Sequence, residues 1–118
     1  MSVNNNYKEE RPWGSFEILH QEDHLKVKRI IVKPGKRLSL QSHKRRSENW
    51  IIIRGNVLVT LDEEEIPLAS NQHVFIPAGA KYRVGNQGSE DVVFIEVQTG
   101  IYLEEDDIVR YEDDFNRL

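Results

Sequence analysis

The stretch PGKRLSLQSHKRRSENWIIIRG, residues 34–55, holds two extended segments on either side of three consecutive cations. Polar and apolar residues alternate through residues 37–43 (RLSLQSH), as they do in a β-strand with two different faces. Residues 49–54 (NWIIIR) are rich in β-branched side chains, which favour strands. Pro-Gly before the first segment and Gly55 after the second are typical of turns. The stretch therefore predicts two strands joined by the short cationic segment.

The same pattern of short strands and turns continues in both directions along the chain. Runs of Val, Ile, Leu and Phe alternate with turns of Gly, Pro, Asn and Asp about every 8–12 residues. The predicted strands are residues 15–20, 25–32, 37–43, 49–54, 56–61, 65–68, 73–76, 81–85 and 91–98. No segment sustains a helical period, although residues 102–115 allow one or two helical turns. The pattern predicts an all-β sandwich or small barrel.

The composition indicates one domain without disulfide bonds. The 118 residues carry a net charge of −4, and none of them is cysteine. We divide the chain into a flexible N-terminal lead, residues 1–8, and a single folded domain, residues 9–118. No apolar run reaches the roughly 18–20 residues of a membrane span, and the N-terminus lacks a signal-peptide pattern. We therefore expect a cytoplasmic protein that does not bind membranes.

The charges are distributed unevenly along the chain. Residues 25–47 contain nine Lys or Arg and no acid, whereas residues 104–114 contain seven acids and one Arg. The two segments could pair with each other, or the basic one could attract an anionic ligand. The acidic one could be a surface strap or could cover the basic one. Nucleic acid is not an expected partner, because the basic run lacks the interleaved aromatic residues of a stacking platform.

Strand alternation assigns the side chains of residues 34–55 to two faces. Leu38 and Leu40 share one face of the first strand. The other face carries four polar residues, namely Arg37, Ser39, Gln41 and His43. On the next strand Glu48, Trp50 and Ile52 share a face. This distribution predicts a barrel interior that is apolar at one end and polar at the other.

Four blocks of the sequence resemble, in order, the isomerase domain of type II mannose-6-phosphate isomerases, which are cupins. They are residues 11–19 (RPWGSFEIL), 34–55, 71–86 (NQHVFIPAGAKYRVGN) and 100–117 (GIYLEEDDIVRYEDDFNR). The resemblance covers about residues 9–117. It implies a single-domain cupin double-stranded β-helix, a jelly-roll barrel, which is usually dimeric. It also implies a divalent metal and the interconversion of mannose 6-phosphate with fructose 6-phosphate.

The resemblance also implies a set of metal ligands. The four family positions map to Gln41, His43, Glu48 and Tyr82, and Tyr82 stands where the family has histidine. Zn, Mn or Co are the expected ions. A phenol with an ordinary pKa near 10 must lose a proton to bind them, so Tyr82 weakens the predicted site. In the alternative interpretation, the same side chains hydrogen-bond one another in a metal-free barrel.

The expected catalytic and substrate-binding residues lie in the same stretch. Arg46 matches an active-site position of the family, and its guanidinium suits a phosphate or a developing oxyanion. The base that moves the proton is Glu48 or His43, and the sequence leaves this choice open. Ser39 and Arg37 are further candidates for substrate contact, with packing an equal alternative for Ser39.

Three functions from different classes fit these residues. The first is a sugar-phosphate isomerase, and the second is a non-catalytic cupin that binds a sugar phosphate or sugar nucleotide. The third, an iron oxygenase, is disfavoured because the predicted site has one histidine. We do not expect GDP-mannose synthesis, because the sequence contains no Gly-rich nucleotide loop. A small sugar phosphate is the expected ligand, and a homodimer is expected because pairing would hide exposed strand edges.

Overall fold

The computed structural model describes residues 6–117, which form eleven strands and one turn of 3₁₀ helix. The first five strands are β1 (Lys8–Arg11), β2 (Gly14–Glu22), β3 (Leu25–Val32), β4 (Leu40–His43) and β5 (Arg46–Arg54). The next five are β6 (Val57–Leu61), β7 (Glu64–Leu68), β8 (His73–Ile76), β9 (Tyr82–Gly85) and β10 (Val92–Gly100). The 3₁₀ turn (Glu105–Asp107) leads into β11 (Ile108–Glu112). The all-β prediction is confirmed.

The strands form two antiparallel sheets that enclose one core. The six-stranded sheet has the order β1-β2-β3-β10-β5-β8, and the five-stranded sheet has the order β11-β4-β9-β6-β7. Consecutive strands β3, β4 and β5 alternate between the two sheets, so the stretch at residues 34–55 joins both layers. Between residues 6 and 117, no helix is long and apolar enough to cross a membrane.

The predicted strands agree with the observed ones except at the two ends of the chain and at the start of β4. Strand β1 was not predicted, because its sequence KEER contains only charged residues and has no apolar alternation. Strand β11 lies in the acidic segment, where a helical turn was expected; the 3₁₀ turn precedes it. Of the predicted lead, residues 1–5 lie outside the described residues. Lys8 begins β1, and the carbonyl of Tyr7 accepts a hydrogen bond of 2.8 Å from the amide of Ile18.

Strand β5 lines the barrel interior from its polar end to its apolar end. Its alternate residues Glu48, Trp50 and Ile52 are at most 1% exposed, as the alternation predicted. Trp50 packs against Phe94 of β10 with ring centroids 5.0 Å apart, and this contact anchors the apolar end of the core. Arg46 and Glu48 lie at the opposite end of the same row, so the interior becomes polar there. The expected division into an apolar and a polar end is confirmed.

The alternation predicted for residues 37–43 is wrong at its start. Regular pairing of β4 begins only at Leu40, and Arg37 makes an isolated bridge with Gly85. The irregular backbone between them places Leu38 and Ser39 both in the interior, where they are 9% and 1% exposed. Arg37 therefore lies at the surface, away from the side chains of Gln41 and His43.

Residues 101–117, which we name the C-terminal strap, cover the polar end of the barrel. Strand β11 pairs with β4, so the strap extends the five-stranded sheet. The carbonyl of Leu103 accepts a hydrogen bond of 3.0 Å from Nζ of Lys26, and Oδ2 of Asp107 accepts one of 2.9 Å from the amide of Arg45. The acidic segment thus covers the basic one, which was one of the two arrangements left open by the sequence.

The outer face of the six-stranded sheet carries exposed apolar side chains. Ile51 and Ile53 of β5 and Phe75 of β8 are 45%, 50% and 51% exposed. Strand β8 forms one edge of this sheet. A second copy of the chain would bury these side chains and the free edge, which is why a homodimer remains our prediction.

Light scattering at micromolar concentration should give about twice the chain mass of 13.8 kDa. The Ile53→Lys variant should shift the mass towards that of one chain, because a buried ammonium opposes association. Gln87→Lys introduces the same charge at an exposed position outside this face and should not change the mass. A wild-type mass near that of one chain would contradict the homodimer.

Candidate functional site

The polar end of the barrel contains a partly open cavity of about 100 Å³. Both sheets and the C-terminal strap contribute to its walls. Among the lining residues are Gln41, Arg46, Tyr82, Glu96 and Glu105. Two predicted ligands and the predicted catalytic arginine therefore meet at one cavity, together with two carboxyl groups that the sequence analysis did not identify.

Arg46 forms a buried ion pair with Glu48 at the base of this cavity. Its Nε donates to Oε2 of Glu48 over 2.9 Å, and the two side chains are only 3% and 2% exposed. Its Nη2 donates to Nε2 of His43 over 2.9 Å, and its Nη1 lies 3.4 Å from Oε1 of Glu105. Burial alone would lower the pKa of Arg46, but the carboxylates of Glu48 and Glu105 outweigh this and raise it. The guanidinium is therefore permanently charged.

Glu48 accepts hydrogen bonds from three donor side chains and shares a further one with the carboxyl group of Glu96. Besides Arg46, the indole Nε1 of Trp50 donates to Oε1 over 2.9 Å, and the hydroxyl of Tyr82 donates to Oε2 over 3.1 Å. Burial favours the protonated acid, but Arg46 reverses this effect and lowers the pKa of Glu48. Glu48 is thus a carboxylate that is enclosed by donors.

His43 is neutral in this arrangement. Because Nε2 accepts a hydrogen bond from Arg46, the proton of the imidazole lies on Nδ1. Burial, and then the charge of Arg46, lower the pKa of His43 to about 4. The buried Nδ1 has no hydrogen-bond partner among residues 6–117.

Ser39, Gln41 and Tyr82 form a chain of hydrogen bonds that ends at Glu48. The hydroxyl of Ser39 donates to Oε1 of Gln41 over 2.7 Å, and Nε2 of Gln41 donates to the hydroxyl of Tyr82 over 3.0 Å. Burial and the nearby carboxylate of Glu48 raise the pKa of Tyr82 well above its usual value. The phenol therefore keeps its proton.

The four predicted metal ligands do not fit a divalent ion in this structure. The Nε2 of His43 and the carboxylate of Glu48 both hold the guanidinium of Arg46, and the oxygen of Gln41 accepts from Ser39. Tyr82 would have to lose a proton that its surroundings retain. In the described part of the chain, no cluster of three or more His, Asp or Glu is arranged to hold a metal. These contacts favour the metal-free alternative.

Glu96 is a cavity residue that the sequence analysis missed. It lies on β10, and its Oε2 accepts a hydrogen bond of 2.6 Å from Nε2 of Gln98. Burial, and then the carboxylate of Glu48, raise the pKa of Glu96 to about 8, and the two carboxyl groups share a hydrogen bond. The sequence feature that could have identified it is its spacing. Glu96 lies two residues after Phe94 in the same strand, so both side chains are expected on the same, inward face.

The strap inserts a carboxylate between two cations of the barrel. The Nζ of Lys28 donates to Oε1 of Glu105 over 2.7 Å, and Arg46 lies on the other side of the same oxygen. Burial opposes the charge of Glu105, but Lys28 and Arg46 together lower its pKa to about 2. The carboxylate of Glu105 therefore occupies an anion-binding position formed by the barrel.

Two predicted substrate contacts lie outside the cavity lining. Arg37 is at the surface, where its Nε and Nη2 donate to the two carboxylate oxygens of Asp114 over 2.7 and 2.9 Å. Ser39 is buried behind Gln41 and contacts it. The structure does not bring Arg37 to the site, and it gives Ser39 the packing and positioning role that the sequence left open. Their contact with substrate stays a prediction.

Comparisons with known proteins identify close relatives of this chain. The family model described as "Mannose-6-phosphate isomerase C-terminal" matches residues 2–113. The xanthan biosynthesis protein XanB of Xanthomonas campestris is 48% identical over 107 residues, which are 91% of this chain and 23% of XanB. The mannose-1-phosphate guanylyltransferase ManC of Salmonella typhimurium is 43% identical over 92% of this chain and 22% of its own. The chain thus spans less than a quarter of these relatives.

Solved structures of cupins share the fold. The cupin domain of Cnp3 from Schizosaccharomyces pombe matches with a TM-score of 0.71, at 18% identity over 73% of this chain and 64% of that chain. The capsular polysaccharide assembling protein CapF of Staphylococcus aureus matches with a TM-score of 0.79, at 21% identity over 93% of this chain and 33% of CapF. The predicted cupin barrel is confirmed.

Metal binding can be tested with substitutions at the guanidinium and the phenol. We expect titration calorimetry with Zn, Mn or Co to show no tight site in the wild type, because Arg46 engages His43 and Glu48. Tyr82→His alone should change little. Tyr82→His combined with Arg46→Gln should bind at least about tenfold more tightly, since it frees the imidazole. Circular dichroism would confirm folding, and one ion per purified wild-type chain would contradict this expectation.

The raised pKa of Glu96 makes folding stability depend on pH. The folded protein keeps a proton that the unfolded chain loses near pH 4.5, so stability falls as pH rises from about 4.5 to about 8. Glu96→Gln mimics the protonated acid. We expect calorimetry to show a higher melting temperature at pH 9, by about 4 °C per kcal/mol gained, and little change at pH 5. Glu64→Gln, at an exposed position, should show neither effect. Equal gains at both pH values would refute the assignment.

Proposed function

The chain belongs to the mannose-6-phosphate isomerase C-terminal family, and we propose that it interconverts an aldose phosphate and a ketose phosphate. Mannose 6-phosphate and fructose 6-phosphate are the first pair to test. The longer relatives include proteins named for guanylyl transfer, and that activity is not proposed for this chain. The proposal concerns only the chemistry of the barrel cavity.

The observation that supports this function best is that Arg46 and Glu96 line the same cavity. Isomerisation moves one proton between C1 and C2 through an enediol, and it requires a base and an electrophile. Once deprotonated, above its pKa of about 8, Glu96 would take the proton from C2 and return it to C1, while the hydroxyl proton of O2 passes to O1. The N–H groups of Arg46 would stabilise the negative charge that develops on the sugar oxygens.

Glu48 has a different role in this proposal from the one expected from sequence. Its carboxylate accepts from Arg46, Trp50 and Tyr82, and it shares a further hydrogen bond with Glu96. A carboxylate held in this way is a poor base, because the charge of Arg46 and the hydrogen bonds stabilise its ionised form and lower its pKa. Glu48 would position the guanidinium and the phenol, and Glu96 would exchange the proton.

A non-catalytic sugar-phosphate binding cupin is the second candidate. The observation that favours it is the size of the cavity, about 100 Å³, against roughly 300–1,000 Å³ for typical small-molecule sites. The strap forms part of the cavity wall, so a hexose phosphate would have to displace strap side chains to fit. A cavity of this size is more consistent with recognition of part of a ligand than with turnover of a whole sugar phosphate.

The discriminating experiment is an NMR assay of mannose 6-phosphate conversion to fructose 6-phosphate. It should be run with a chelator and then with added Zn, Mn or Co. We expect turnover in the presence of the chelator. Absence of turnover under every condition would favour the binding module. Turnover only with metal would contradict the guanidinium as the electrophile.

Two conservative variants test the assigned roles. Glu96→Gln should lower kcat by about 100-fold or more, the usual contribution of general base catalysis. Arg46→Lys keeps the positive charge but loses the planar guanidinium, which can donate two parallel hydrogen bonds. It should therefore lower kcat more than it raises KM. Arg54→Gln changes an exposed arginine at the far end of β5 and should leave both constants unchanged. Unchanged kcat/KM in either site variant would remove that residue from the mechanism.

A further inference from the structure

Arg110 of the C-terminal strap lines the cavity and makes no ion pair with any residue between 6 and 117. Its Nε is buried and has no hydrogen-bond partner among the described residues. Buried polar groups in native proteins are almost always paired, so the unpaired Nε of this half-buried side chain calls for an acceptor. An unpaired cation at a cavity wall therefore indicates a missing anion.

Other cations surround the same position. Arg11 and Arg117 also line the cavity, and their charges lower the pKa of Arg110 after the larger effect of burial. Lys28 completes the set of cations on this wall; its Nζ lies 4.4 Å from the ring centroid of Phe16. Asp113 and Glu105 oppose this lowering of the pKa of Arg110. The four cations of this wall nevertheless outnumber the three carboxylates that pair with them, so the wall keeps an excess of positive charge.

The neighbouring cations already have partners. Both carboxylate oxygens of Asp113 hold Arg117, at 2.7 and 2.8 Å, and Arg11 pairs with Glu9. Lys28 pairs with Glu105. These pairs hold the surrounding side chains in place. The guanidinium of Arg110 is therefore the cation on this wall that is available to bind a further anion.

The backbone places Arg110 beside the candidate catalytic residues. Arg110 lies directly opposite Gln41 on β4, and Gln41 lies directly opposite Tyr82 on β9. Directly opposed residues have Cβ atoms about 4.5–5.5 Å apart. The pairing of β11 becomes irregular immediately after Arg110, and such irregularities redirect side chains. One row of residues therefore connects the free guanidinium with the phenol that contacts Glu48.

We propose that Arg110, supported by Arg11, Arg117 and Lys28, binds the phosphate group of the ligand. This inference rests on the proposed function only for the identity of the sugar. The phosphate lies on the strap side of the cavity, and the sugar extends towards Arg46 and Glu96. A dianionic phosphate provides several acceptor oxygens for a bidentate fork and for a second cation. Because Arg110 belongs to the strap, binding of the phosphate also holds the strap closed over the sugar.

The test is binding of inorganic phosphate and mannose 6-phosphate to the full chain, by titration calorimetry and thermal unfolding. The buffer is free of phosphate, and its ionic strength is kept constant with NaCl. We expect both ligands to bind and to raise the melting temperature, and free mannose to have a much smaller effect. Arg110→Gln should weaken phosphate binding at least about tenfold. Arg54→Gln is the matched control and should bind like the wild type.

Stability without ligand separates an anion site from a structural role. Because Arg110 is half-buried and makes no ion pair among the described residues, Arg110→Gln should have a melting temperature equal to or above that of the wild type in phosphate-free buffer. Arg110→Lys, which keeps the charge but not the fork, should bind phosphate with intermediate affinity. These two results together support the site and exclude misfolding as the cause of lost binding.

Two outcomes would overturn the inference. One is phosphate binding that is equally strong in the wild type and in Arg110→Gln. The other is no binding of inorganic phosphate or mannose 6-phosphate by the wild type at millimolar concentration. Arg110-dependent phosphate binding without any isomerase turnover would support the anion site while removing the proposed catalysis, so the two proposals fail separately.

Discussion

The buried ion pair between Arg46 and Glu48 determines the state of the surrounding site. Taking two charges out of water costs several kcal/mol per ion, and this cost is offset only when good geometry is joined by further hydrogen bonds. Here Glu48 also accepts from Trp50 and Tyr82, and Arg46 also donates to His43. This pair also explains the protonation states of its neighbours. His43 is neutral because its Nε2 accepts from the guanidinium of Arg46, and Tyr82 keeps its proton because its hydroxyl donates to the carboxylate of Glu48.

The strap connects this cluster to the uneven charge distribution of the chain. Glu105 contacts Lys28 and Arg46, so acidic residues near the C-terminus neutralise part of the basic segment. The same strap contributes Arg110, whose buried Nε has no hydrogen-bond partner among the described residues. The strap thus supplies both the carboxylate of Glu105, which contacts two cations of the barrel, and a guanidinium with an unsatisfied donor. Closure over the cavity and recognition of a charged ligand therefore depend on the same backbone.

The sequence predicted those parts of the site that depend on regular strands. Glu48, Trp50 and Ile52 are inward because β5 is regular along its whole length. Arg37 was misplaced because pairing of β4 starts three residues later, and local irregularity is not visible in an alternating pattern. Arg110 was missed for a different reason, because its position opposite Gln41 is a contact between residues far apart in the chain. Long-range pairing of a polar segment has no local signature in the sequence.

The family resemblance located the site but did not determine its chemistry, because two residues act together there. Tyr82 replaces a histidine of the family pattern, and a phenol beside a buried carboxylate keeps its proton. That proton leaves Glu48 satisfied without a metal, and the guanidinium of Arg46 supplies the positive charge. A guanidinium differs from a metal ion in having fixed donor directions and in requiring no deprotonated ligands. Restoring histidine at position 82 would therefore leave the cationic centre in place, since the contact between Arg46 and His43 does not depend on residue 82.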